Sequence, residues 1–114
     1  MMYTLYGISN CNTVKKAKDW LEDNNIDYQF HDYRKQGLTE ELLNSFEEQL
    51  GWQKLLNKQS TSWRKLTDDQ KSNICKQTAL QYMLETPTLI KRPVLVTDEK
   101  MIVGFKAENY QQEL

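Results

Sequence analysis

The chain has 114 residues and a formal net charge of −1, with charged residues making up 27% and both signs mixed along its length. That is enough for one domain with one modest core, and it lacks the basic stripe of a nucleic-acid binder. No apolar run reaches membrane-spanning length and no signal segment opens at Met1. Two widely separated cysteines make no secreted framework, so a reducing, cytoplasmic setting and a monomer are expected.

Residues 3–6 read as a short apolar strand, followed by a tight loop through Gly7 and Ser9 and then an amphipathic helix. Val14, Ala17 and Leu21 repeat at helical spacing, while Lys15, Lys16, Lys18 and Asp19 fill the other face. Asn24-Asn25 supplies a stop. Ile26, Tyr28 and Phe30 then alternate with Asp27, Gln29 and His31, the period of a half-buried strand. Strand, helix, strand is a βαβ unit, which makes a parallel pair. Residues 31–37 read as a polar loop ending on Gly37.

Thr39 reads as an N-cap with Glu40 and Glu41 in the first turn. Leu42, Leu43, Phe46 and Leu50 form the buried stripe of that helix, and Gly51 stands at its C-cap. Residues 52–66 read as irregular, anchored by Leu55 and Leu56. Thr67 with Gln70 matches a capping box, and helix is expected to about Leu84 with a break near Lys76-Gln77. Ile74, Ala79, Leu80 and Met83 are its inward residues. Thr86-Pro87 opens a short turn holding Leu89 and Ile90. Residues 94–97 and 101–105 read as a hairpin around Asp98-Glu-Lys100, and residues 107–114 as a short helix with Tyr110 inward. The sum is an α/β fold, a small mixed sheet with helices packed on it.

Two features carry candidate chemistry. Cys11 falls at the start of the first helix, where free N–H groups and the helix dipole favour a thiolate, the reactive form of cysteine. Lys15, one turn along, adds a cation. Against this stands the ordinary role of cysteine as a small buried hydrophobe. The second feature is Arg92-Pro93, entering the hairpin. A proline opening a strand often carries a cis bond. If the sheet brings that turn beside Cys11, Arg92 stabilises the thiolate and binds an anionic group; a plain surface arginine is the alternative. His31, the sole histidine, reads as a structural hydrogen-bonding residue. Two cysteines and one histidine so spaced make no metal site. Trp20, Trp52 and Trp63 read as packing residues. Arg64, beside Trp63, is a candidate for a peptide carboxylate or equally for a surface ion pair.

Gly7-Ile-Ser-Asn-Cys11-Asn-Thr-Val-Lys-Lys-Ala17, His31-Asp-Tyr-Arg34, Leu55-Leu-Asn57, Ser62-Trp-Arg-Lys-Leu66 and Ile90-Lys-Arg-Pro-Val94 together resemble the arsenate-reductase-like (ArsC/Spx) family. The resemblance runs through nearly the whole chain and is closest to a small branch described as glutathione-dependent thiol reductases. It implies a single thioredoxin-like domain over residues 1–114. In that fold a helical subdomain, at about residues 39–90, is inserted between βαβ and ββα halves. It also implies Cys11 as nucleophile, Pro93 as the cis proline and Arg92 reaching the cysteine.

The departures are equally specific. Arsenate reductases of the family hold their oxyanion with three arginines, and only Arg92 matches one. Asn57-Lys-Gln59 and Gly104-Phe-Lys106 stand around the other two. Each missing charge-assisted contact is worth about 1.5–3 kcal/mol, so efficient arsenate reduction is disfavoured. The regulator branch usually carries Cys-x-x-Cys, but here Val14 occupies the second position and that disulfide switch is impossible. Cys75 is then the one other thiol, read as a bystander. The reading is a monothiol oxidoreductase. Cys11 forms a mixed disulfide, Arg92 and Lys15 stabilise the thiolate, and Asn12 and Thr13 offer backbone N–H groups to the substrate. Glutathione or a glutaredoxin serves as resolving partner, and no cofactor is bound. The alternative is a binding or regulatory adaptor for a protein partner such as RNA polymerase.

Overall fold

The computed structural model describes residues 3–114. Strand β1 (Tyr3–Gly7) leads through a bend into α1 (Asn12–Asp23), whose Val14, Ala17 and Leu21 are buried as their spacing predicts. Asn24 closes the helix, its side chain donating to the Trp20 carbonyl at 2.8 Å. Asn25 takes φ 57°, a left-handed conformation that asparagine tolerates, and turns the chain toward β2 (Tyr28–Asp32).

That strand begins two residues later than the alternation from Ile26 suggests and runs on through His31 to Asp32. The expected polar loop is in part a one-turn helix, α2 (Tyr33–Gln36). The reason lies in Asp32, whose carboxylate accepts from the Arg34 N–H at 2.8 Å and caps the turn. Gly37 at φ 84° ends it.

Next come α3 (Glu40–Leu50), capped by Thr39 on the Leu42 N–H, and two one-turn helices where irregular chain was expected. These are α4 (Trp52–Leu55) and α5 (Thr61–Arg64), the latter capped by Ser60 on the Trp63 N–H at 3.1 Å. The Thr67–Gln70 capping box opens α6 (Asp68–Ser72). The helix breaks at residues 73–75, slightly before the expected point, and α7 (Lys76–Glu85) follows. Asn73 folds its side chain back onto the Asp69 carbonyl at 2.9 Å, and the Thr78 hydroxyl takes the Cys75 N–H at 3.0 Å, so both edges of the break are closed by side chains. A 3-10 turn (Pro87–Leu89), the hairpin of β3 (Val94–Val96) and β4 (Met101–Val103), and α8 (Ala107–Glu113) complete the chain.

The four strands form one mixed sheet in the order β2-β1-β3-β4, with β1 parallel to β2 and the other pairs antiparallel. Leu5 and Leu95 are register partners and point to one face. There they meet Val14, Ala17, Leu21 and Tyr110, so α1 and α8 cover that face. The Tyr110 ring stands edge-on to Trp20 and Phe105 at centroid distances of 5.3 and 4.8 Å. On the opposite face Tyr6 and His31 are paired across the strands, with rings 5.0 Å apart. The His31 ring bonds the Gly37 carbonyl at 2.7 Å, the structural role its position suggests.

The chain divides into two units: the sheet with α1, α2 and α8, and the helical segment Leu38–Lys91. The second has its own core of Leu43, Phe46, Leu55, Leu56, Ala79, Met83, Leu89 and Ile90. Its ends are pinned by a bridge between Leu56 and Ile90, flanked by bonds from the Asn57 N–H to Leu89 and from the Lys91 N–H to Leu55, each 2.7 Å.

Candidate functional site

The C-terminal end of β1 is where the chemistry-bearing residues of the sheet unit gather. Gly7 pairs with Asp32 in the parallel register, and Tyr6 pairs with Val94 in the antiparallel one. The loop leading to Cys11, the turn after β2 and Arg92-Pro93 before β3 therefore share one end of the sheet. The Arg92–Pro93 peptide is cis. Pro93 is buried and its carbonyl accepts from the Gly104 N–H at 2.8 Å. A Cβ placed on Gly7 would lie 4.0 Å from the Arg92 Cβ and 2.9 Å from Val14 Cγ2. The absent side chain is what lets the arginine turn and the first turn of α1 close on β1.

Cys11 is the N-cap residue of α1, in extended conformation at φ −149° and ψ 123°, and its carbonyl takes the Lys15 N–H at 3.0 Å. Its side chain caps nothing, so the sulfur is not engaged by its own helix. It is partly exposed, with one flank against the core cluster. Asn12 and Thr13 lie in the first turn, where backbone N–H groups have no carbonyl of their own helix to meet. Lys15 is exposed one turn along. Val14, three residues after the thiol, is 1% exposed and belongs to the core.

Two neighbours escaped the sequence reading. Asp32 is the buried charged side chain among the described residues, 3% exposed. Burial alone would push its carboxyl up. The N–H groups of Arg34, Ser9 and Lys35 and the Ser9 hydroxyl outweigh that and hold it below its ordinary value. Tyr33, also 3% exposed, has its phenol pushed up by burial and by the nearby Tyr6, with Arg92 opposing the rise. The signal available in the sequence was the order of residues in His31-Asp-Tyr-Arg34: a carboxylate two places before Arg34 suits a helix cap.

Arg64 lies in the other unit, exposed in the last turn of α5. No carboxylate is within ion-pair range of it among the described residues. Cys75 caps α7 in the same unit and is exposed. The Thr78 hydroxyl and N–H beside its sulfur hold that thiol below its usual value. Among the described residues no cluster of three histidine, cysteine or acidic side chains could hold a metal, and no helix is long and apolar enough to cross a membrane.

The ArsC family model matches residues 6–113. The chain belongs to the ArsC family. It is 50% identical over 110 residues to an uncharacterized protein of Haemophilus influenzae, covering 96% of each chain. It is also similar to the global transcriptional regulator Spx of Listeria innocua, 26% identical over 99% of this chain and 87% of that one. Among solved structures it superposes on an arsenate reductase (ArsC) related protein from Brucella melitensis with a TM-score of 0.83. That pair is 49% identical, over 98% of this chain and 93% of the other. The sheet and helices are accordingly those of the ArsC thioredoxin-like fold, as the sequence motifs imply.

Proposed function

We propose that this ArsC-family chain is a monothiol oxidoreductase with Cys11 as its nucleophile. The observation that carries this reading is the placement of the sulfur. It is partly exposed at the N-terminus of a twelve-residue helix, leaves the helix uncapped, and is followed at the third position by a core valine. The Cys11 thiolate attacks one sulfur of a disulfide, a new S–S bond forms, and the other sulfur leaves as a thiolate. Val14 has no sulfur with which to resolve the mixed disulfide. An external thiol, glutathione or the thiol of a glutaredoxin, attacks it, takes the substrate sulfur into a second disulfide and returns Cys11 as thiolate.

The Asn12 and Thr13 N–H groups receive the anionic sulfur or a substrate oxygen, and Arg92, which enters β3 at the same end of the sheet, attracts a carboxylate of the incoming thiol. Buried Pro93 follows it into β3, and Lys15 adds positive field from the exposed side. The test is incubation with glutathione disulfide followed by site-resolved mass spectrometry and turnover with excess glutathione. Adduct on Cys11, and turnover abolished by Cys11→Ser but kept by Cys75→Ser, is the expected result. Turnover that survives Cys11→Ser sinks the reading.

A second reading, a binding or regulatory protein on the same fold, is favoured by the likeness to Spx over 99% of this chain. It predicts a stoichiometric protein partner recovered equally by wild type and Cys11→Ser, with no glutathione turnover by either.

A further inference from the structure

We infer that Asp32 is the positioning residue for Cys11, its carboxylate tying the loop that carries the thiol to the turn after β2. Oδ2 accepts from the Ser9 N–H at 3.3 Å, and Oδ1 accepts from the Arg34 N–H at 2.8 Å. The Asp32 N–H in turn donates to Gln36 Oε1 at 3.0 Å, fixing the residue from its own backbone. One side chain thus bridges two segments 23 residues apart in sequence, and the first ends two residues before the thiol.

Packing does not account for the choice. Burying a carboxylate costs more than burying an apolar side chain of the same size unless hydrogen bonds repay it. Here both oxygens are spent on backbone donors from different segments. Ile8 at the start of the loop is buried, but Ser9 and Asn10 are exposed and bury no side chain of their own, so the stretch just before Cys11 has no packing to hold it. An asparagine has one acceptor and one donor, and would turn its amide against one of the two N–H groups. Only a carboxylate of this length serves both.

The inference rests on Cys11 being the reacting group, and its test is built to be read separately from that premise. Rates of Cys11 and Cys75 are followed by mass spectrometry with iodoacetamide and with glutathione disulfide, Cys75 serving as the internal reference in the other unit. In Asp32→Asn the Cys11 rate should fall about 10-fold with both reagents, the size expected from losing a charge-assisted bond, with Cys75 unchanged. Amide exchange at Ser9 should quicken. Removing an anion near a thiol would, through charge alone, speed its reaction, so the sign separates positioning from electrostatics.

A folded Asp32→Asn protein whose Cys11 rate is unchanged or faster overturns the inference, as does a parallel fall at both cysteines. If that variant does not fold, Ser9→Pro removes both of the loop's donors, the N–H and the hydroxyl, and leaves Asp32 and its α2 cap in place. The same selective slowing of Cys11 is expected, and an unchanged rate there overturns the inference too. Failure of wild-type Cys11 to react with glutathione disulfide, with its alkylation still slowed by Asp32→Asn, counts against the oxidoreductase reading and upholds the positioning role.

Discussion

At the end of β1, the 2.9 Å separation between a would-be Gly7 Cβ and Val14 Cγ2 leaves no room for a methyl group, because Val14 is wedged in the core at 1% exposure and cannot swing away. Gly7→Ala should cost about 1–3 kcal/mol, the usual range for overpacking a filled site. Val14→Ala should cost about 2 kcal/mol for the lost methyls and the cavity. The double variant should be more stable than the sum of the two costs, by about 1 kcal/mol, since the shortened side chain vacates the space the new methyl needs. Urea denaturation of the four proteins measures this coupling, and simple additivity would show that the two residues do not meet. The pair matters to function because it sets how closely the first turn of α1, and with it Cys11, approaches the sheet.

At the scale of elements, α8 is held mainly by one residue. Tyr110 is its buried member, edge-on to Trp20 and Phe105, and its hydroxyl is buried without a protein partner. The ring stabilises and the hydroxyl does not. Tyr110→Phe should be as stable as wild type or more so by about 1 kcal/mol, because an unpaired buried hydroxyl is a desolvation cost. Tyr110→Ala should lose about 3–5 kcal/mol and release the helix, seen as reduced helical circular dichroism and earlier thermal unfolding.

That inward tyrosine was legible from the sequence, as were the α1 stripe of Val14, Ala17 and Leu21, the Thr39 cap and the Thr67–Gln70 box. Each is a local pattern with one physical solution. What escaped was decided by hydrogen bonds between residues remote in sequence or by caps too short to show periodicity. Asp32 extends β2 and starts α2 through one carboxylate, and Ser60 makes a single helical turn of residues that otherwise look like loop. In the same way, helical spacing placed Cys11 at a helix start, but only the pairings of Gly7 with Asp32 and Tyr6 with Val94 bring Asp32 and Arg92 to that end of the sheet.

Over the whole molecule, the buried carboxylate among the described residues is that of Asp32. The ion pairs among the described residues are Lys76–Glu47 and Lys100–Glu113 at 3.3 and 2.6 Å, with both lysines well exposed. Lys100–Glu113 is exposed on both sides and Lys76–Glu47 on its lysine side, so both contribute little and are screened by salt. With a net charge of −1 the chain also has little self-repulsion to relieve. Stability above pH 5 should therefore change little between low salt and about 0.5 M salt, a concentration at which the screening length is only a few ångströms. Acid should act differently. The Asp32 carboxyl is held below its ordinary value in the folded chain, so its contribution is present above the unfolded value of about 3.9 and is lost as pH falls through the folded one. Wild type should lose stability steeply below about pH 4, whereas Asp32→Asn, less stable at pH 7, should show a shallower decline and approach wild type at the acid end. Parallel stability–pH curves for the two proteins, measured by urea denaturation, would place the acid sensitivity in other carboxylates.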